Sequence, residues 1–232
     1  NKSVQYMRKA LEAGRFGRLS HGAAHVRWNR GKGYYDQAPW RGTWAQDGGC
    51  LMNQCIHNID LLRWFMGDDI EEVMAYTDQL EHPYLEAEDL GMALVKFANG
   101  SYGLIEGTTN VYPKNLEETL YIFGEKGTAK AAGTSDNIIE EWRFADELDN
   151  PEEVKKRFSE NPPNIYGFGH TPLYADVIEA IKTGRAPLVD GEAGKRALEL
   201  VLAIYKSAAE HRPIKLPLES CSTMDFVGRF DK

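Results

Sequence analysis

Cysteine is scarce. The 232 residues hold three, Cys50, Cys55 and Cys221, with no Cys-x-x-Cys pair. An odd set without that spacing argues against a disulfide framework or a structural zinc site, and a reducing, cytoplasmic setting is expected. No apolar run reaches the roughly 20 residues of a membrane span, and no apolar segment follows a basic start. Neither a membrane helix nor a secretory leader is therefore expected. Positive charge is also in deficit: 27 Lys and Arg against 35 Asp and Glu give a formal charge of −8. That balance speaks against nucleic acid or an anionic membrane as the main partner.

Phosphate-cradling and nucleophile motifs are missing as well. Gly31-Lys-Gly33 lacks a third glycine and a βαβ context, and the Gly-Phe-Gly-His run at 167–170 follows no parallel strand. There is no P-loop and no nucleophile elbow. His21 and His25 have metal spacing only on a helix. On the strand that the pattern suggests they would stand roughly 13 Å apart, too far to share an ion. No metal is expected.

What is present suits one large domain or two small ones, with 42% hydrophobic residues for a core. The chain starts Asn1-Lys2-Ser3 and enters a helical pattern at once: Val4, Met7 and Leu11 recur at helical spacing, Ser3 is a candidate N-cap, and Gly14 and Gly17 follow as stops. So abrupt an entry points to a piece of a longer protein; a trimmed tail is the alternative.

Residues 18–29 read as a strand and 29–49 as a Gly- and aromatic-rich loop, long for a mere connection. Residues 51–66 read as one helix, ended by Gly67. Strands are expected at 71–79, 89–98, 101–109, 117–124, 127–132 and 138–144, with Asn99-Gly100 as a tight hairpin turn. Helices are expected at 151–160, 171–183 and 191–210. The order gives an α+β fold: one open, largely antiparallel sheet with helices on one face. The other face, near Met92, Leu94, Phe97, Tyr102, Leu104 and Tyr121, is expected to serve oligomerisation.

Chemistry concentrates after the aromatic loop. Asn53 and His57, four apart, share one face of the expected helix, with Asp60 three residues further along. An imidazole between an amide and a carboxylate at a helix start is a candidate acid/base group. A core histidine satisfied by Asp60 is the other reading. In the loop, Tyr34, Tyr35, Trp40 and Arg41 offer flat faces and a guanidinium fork suited to a sugar ring and an anion. The alternative there is a satellite aromatic cluster. Tyr166 and His170 form a second candidate patch, or a loop packed under a helix. Cys50 and Cys55 read as buried thiols.

At GGCLMNQCIHNIDLLRWFMG (48–67) the sequence resembles the C-terminal domain of the Gfo/Idh/MocA family of NAD(P)-dependent oxidoreductases. Gly48-Gly49, Asn53, His57, Asp60, Trp64 and Gly67 carry the pattern. WRGTW (40–44), NGSYGLIEGT, IFGEKGT and the stretch from Gly169 through Ser207 agree with it, so the resemblance spans nearly the whole chain. Its finer likeness is to the nucleotide-sugar branch, such as dehydrogenases of UDP-N-acetylglucosaminuronate. The resemblance implies that His57 accepts the substrate hydroxyl proton while a hydride passes to nicotinamide. It implies that Asn53, where many members have Asp, orients substrate or imidazole, and that Arg41, Tyr34, Tyr35 and His170 bind substrate. Residues 1–17 would join a dinucleotide-binding domain absent from this sequence, and 18–232 would be the substrate and oligomerisation domain. The family's Glu-Lys-Pro motif has no counterpart here. NAD or NADP is thus expected in the intact enzyme and none on this chain alone, with a homo-dimer or tetramer through the sheet. A non-catalytic sugar-binding or dimerisation module is the competing reading.

Overall fold

In the computed structural model, residues 1–160 and 168–231 are described. Helix α1 (Lys2–Glu12) leads to strand β1 (Leu19–Arg27), then to α2 (Lys32–Tyr35), α3 (Cys50–Asn53) and α4 (Ile56–Met66). Strands β2 (Ile70–Asp78), β3 (Leu90–Phe97), β4 (Tyr102–Thr108), β5 (Glu117–Gly124), β6 (Gly127–Ala132) and β7 (Ile138–Phe144) follow. The chain closes through α5 (Pro151–Phe158), α6 (His170–Thr183), α7 (Gly191–Glu210), the short strand β8 (Ile214–Lys215) and a 3-10 turn at Thr223–Phe226.

These strands make one open eight-stranded sheet in the order β7-β6-β5-β1-β4-β3-β2-β8. All pairings are antiparallel except β1 with β4. Two meanders, β2–β3–β4 and β5–β6–β7, run antiparallel, with short turns at every link except the longer loop over 79–89 between β2 and β3. Strand β1 enters between them, and the long excursion back to β4 permits the single parallel pair.

Period-two alternation sorts the two faces. Val73, Ala75, Ala93, Val95, Ile105, Leu120 and Ile122 point to one side, where α4 and α7 cover them with Ile59, Leu62, Phe65, Leu200 and Ile204. The other side keeps Tyr76 and Leu94 exposed, 67% and 61%, beside Met92, Tyr102 and Leu104. Register brings Met92 opposite Tyr76 and Leu94 opposite Leu104. Phe97 corrects the expectation. It follows the parity of Ala93 and Val95, so it faces the core and is 1% exposed.

Two local expectations also change. Ser3 does not cap α1. It lies inside the helix, buried, and donates to the carbonyl of Asp136, while Asn1 holds the cap position. The helix expected over 51–66 is two helices. Cys50 O accepts from both Gln54 N and Cys55 N, each at 3.0 Å, a wide turn that ends α3 before α4 starts. Such turns re-aim side chains and gather at functional sites.

Candidate active site

Asn53 is the last residue of α3 and His57 the second of α4, so a break, not one regular turn, separates them. His57 is exposed. It stands in the first turn of α4, where unpaired backbone N–H groups give a positive end to the helix. The reading of His57 as a core histidine satisfied by Asp60 is overturned. Asp60 Oδ1 instead accepts from Arg63 Nε and Nη2, at 3.1 and 2.7 Å. The Arg63 side chain is only 3% exposed, and a buried guanidinium requires paired carboxylates. Asp60 and Asp68 supply them. Asp60 is therefore a partner of Arg63, not the group that orients His57.

The amide of Asn53 is fixed from the other direction. Its Nδ2 donates to Asp47 Oδ1, and Asp47 Oδ2 accepts from Gly42 N at 2.9 Å. Asp47 thus ties the end of α3 to the aromatic loop. A second tie runs through Tyr34, whose hydroxyl accepts from Gln54 Nε2 at 3.2 Å and from Arg41 Nη1. The Arg41 guanidinium lies 4.0 Å from the ring centroid of Tyr34 and 4.5 Å from that of Trp40. Sandwiched this way, the fork is held flat, and its Nε is buried without a hydrogen-bond partner among the described residues. A desolvated donor of that kind favours an anionic acceptor.

The expected residues thus divide. Tyr34, Trp40, Arg41 and Asn53 are joined by stacking and hydrogen bonds around the break, and His57 follows one step along α4. Tyr35 belongs to the satellite cluster. It is buried, its hydroxyl meets Thr109 Oγ1 at 3.2 Å, its ring packs edge-on against Tyr34 and His82, and burial pushes its phenol up. His170 opens α6 and is exposed. Tyr166 lies outside the described residues. Asp47 and Gln54 were missed by sequence reasoning. Asp47 stood in plain view before Gly48-Gly49, but nothing in the spacing said that its carboxylate meets Asn53. Among the described residues no group of three or more His, Cys, Asp or Glu could hold a metal ion, and no helix is long and apolar enough to cross a membrane.

A family model described as "Oxidoreductase family, C-terminal alpha/beta domain" matches residues 8–216. The chain is 41% identical to the WlbA dehydrogenase from Bordetella pertussis, solved in complex with NADH and UDP-GlcNAcA, with a TM-score of 0.87 over 94% of this chain and 62% of that one. It is 40% identical to the WlbA dehydrogenase of Chromobacterium violaceum, in complex with the same two ligands, with a TM-score of 0.84 over 95% of this chain and 61% of that one. Myo-inositol 2-dehydrogenase of Thermotoga maritima is 31% identical over 173 residues, 73% of this chain and 49% of the relative. The chain thus spans about half the length of the curated relatives it matches.

Proposed function

The chain belongs to the Gfo/Idh/MocA oxidoreductase family as its C-terminal domain, and from that premise we propose that it is the substrate-binding, base-bearing domain of an NAD(P)-dependent dehydrogenase of a nucleotide-activated sugar acid. The observation that carries the reading is the exposed imidazole of His57 at the start of α4, beside an Asn53 amide anchored by Asp47 to an Arg-bearing aromatic loop. The 41% identity to a protein solved with UDP-GlcNAcA supports the substrate class.

In this reading the substrate presents a secondary alcohol to His57 Nε2 or Nδ1. The imidazole is placed to take the proton of that hydroxyl when the alcohol is oxidised. Asn53, its donor end committed to Asp47, orients the alcohol or the ring. Arg41, held between Tyr34 and Trp40, offers the outer edge of its guanidinium to a carboxylate or phosphate oxygen. His170 and Tyr166 are further substrate contacts. The hydride acceptor in such enzymes is a dinucleotide, which supplies the redox chemistry itself. The described residues contain no glycine-rich turn between a parallel strand and a helix of the kind that cradles a pyrophosphate. They do not fit that group, and the role left to this chain's residues is to bind the sugar and take its proton. Residues 1–17 then lead from a dinucleotide-binding domain into this one. Three free thiols suit a reducing cytoplasm.

The test is a substrate panel on the full-length protein, followed by nicotinamide absorbance. UDP-GlcNAcA should be oxidised in preference to myo-inositol and free glucuronate. Preference for myo-inositol would move the substrate class, and no turnover of any secondary sugar alcohol would overturn the enzyme reading.

We further propose that the open sheet face joins two copies of the chain. Tyr76, Met92, Leu94, Tyr102 and Leu104 form a contiguous apolar patch there, larger than scattered surface residues explain. The same patch on both copies closes a two-fold dimer. Light scattering should report a dimer or tetramer, and Leu94→Glu should shift it to monomer at micromolar concentration while leaving the far-UV spectrum unchanged. A parent that is already monomeric ends the proposal.

A further inference from the structure

The carboxylate of Asp47 is buried where the aromatic loop meets the end of α3, and it receives two N–H donors there. Gly42 N donates to Oδ2 at 2.9 Å, and Asn53 Nδ2 donates to Oδ1. Its surroundings are fixed in turn. The N–H groups of Asp47 and Gly48 both donate to the Thr43 carbonyl, at 3.1 and 2.8 Å. The carbonyl of Gly42 accepts from Glu86 N at 2.9 Å and Ala87 N at 3.2 Å. Gly42 has φ +70°, and a Cβ there would stand 2.6 Å from Leu85 Cδ2. Only glycine fits between these segments, so the N–H that holds Asp47 is itself held.

This arrangement decides which end of Asn53 is offered to a ligand. An ionised carboxylate accepts and cannot donate, so the Asn53 amide turns its nitrogen to Asp47. No described residue donates to its Oδ1, which is the end left over. An amide free to turn could meet a donor or an acceptor; this one meets donors only. The hydroxyl that faces His57 has a single proton, and that proton is directed at the imidazole. Asn53 therefore serves a different donor, the second ring N–H of His57 or a neighbouring hydroxyl of the sugar.

We propose that Asp47 is a positioning residue of the dehydrogenase site, acting through Asn53 by locking that amide with its oxygen toward the ligand. The inference rests on the proposed reaction at His57 and adds a charge rule to it. Positions 47 and 53 carry one carboxylate and one amide between them. Two carboxylates in contact repel. Two amides leave one oxygen at position 47 for two donors, Gly42 N and Asn53 Nδ2, so the Asn53 amide turns over or a buried donor goes unpaired. Exchanging the two side chains satisfies the rule again.

The experiment is a double-mutant cycle on the full-length protein. It reads kcat/KM for the sugar alcohol the parent prefers, by nicotinamide absorbance, and urea melts of the same four proteins. Asn53→Asp and Asp47→Asn are isosteric exchanges, and each should lower kcat/KM by about 10²-fold, the scale of a small misplacement. In the combined Asp47→Asn/Asn53→Asp variant the new amide accepts from Gly42 N and donates to the new carboxylate. That variant should be faster than either single one by about tenfold or more. The loss in Asn53→Asp should also deepen between pH 6 and 9, as the carboxylate pair gives up its shared proton, while the combined variant keeps a constant ratio to the parent. Single effects that simply multiply in the combined variant, or a pH-independent loss in Asn53→Asp, would overturn the proposal. Coupling seen in the melts but not in kcat/KM would overturn it too, since the contact would then be a structural tie alone. A parent that oxidises no secondary sugar alcohol would end the proposed reaction itself, and this inference with it.

Discussion

Replacing His57 with alanine in the full-length protein is expected to lower kcat by roughly 10²–10⁴, the usual contribution of a positioned general base, without unfolding the domain. The two halves of that expectation have separate causes. Chemistry loses the only imidazole at the start of α4, so the alcohol proton must leave to water. Stability barely changes, because the ring is exposed and surface truncations typically shift stability by about 0.5 kcal/mol or less. A histidine that served packing would show the reverse, a lower melting temperature and modest kinetic loss. Added imidazole should restore part of the turnover of the alanine variant, a rescue that a structural defect would not show. Asn53→Ala should act differently. It frees Asp47 Oδ1 next to the break, so KM and kcat should both suffer. Unchanged turnover for His57→Ala would remove the base from the mechanism.

The strands were legible because their alternation is strong and their turns are explicit. Residues 117–124, 127–132 and 138–144 come out with the expected bounds. The parity of the exposed face was not legible, since a run such as Met92–Phe97 alternates apolar residues on both sides and only burial assigns them. The break between Asn53 and His57 carried no glycine or proline to announce it. It arises from a shared carbonyl at Cys50, a tertiary accommodation that no local propensity encodes. Asp60 misled for a related reason. Its spacing from His57 was right for a hydrogen bond, but the more costly group nearby is the buried guanidinium of Arg63, and burial is not visible in a sequence. The site's residue types could be read from the chain; their pairing through Asp47 and Gln54 depended on how the aromatic loop folds back.

The second large effect concerns the floor beneath the site. Glu88 is wholly buried under the start of α3. Its Oε1 accepts from Leu51 N and from the Tyr205 hydroxyl, both at 2.9 Å, and the same hydroxyl accepts from Gly49 N at 3.3 Å. Its Oε2 has no partner among the described residues, and burial lifts the acid to about 8. The folded chain therefore keeps this proton where the unfolded chain, near 4.5, has lost it. Between those values the unfolded state binds fewer protons, so stability falls as pH rises. The gap corresponds to at most about 5 kcal/mol, and solvent penetration would reduce it. Glu118 and Asp136, also pushed up by burial, slope the same way. Urea melts of the parent at pH 5, 6.5 and 8 should show declining stability. Glu88→Gln keeps the acceptor for Leu51 and Tyr205 but cannot ionise, so its profile should be flatter and should meet or cross the parent near pH 8. Parallel profiles would mean that Glu88 titrates normally. Gly49→Ala probes the same contact sterically. A Cβ there would sit 1.8 Å from Glu88 Oε2 and 2.4 Å from the Glu88 carbonyl. An acid without room to move makes that substitution cost about 3 kcal/mol or more. The loss should persist at every pH, because it comes from overlap and not from charge. A flat response to Gly49→Ala alongside a strong one to Glu88→Gln would show that the floor is held by ionisation state alone, and the close packing at this glycine would then have no energetic weight.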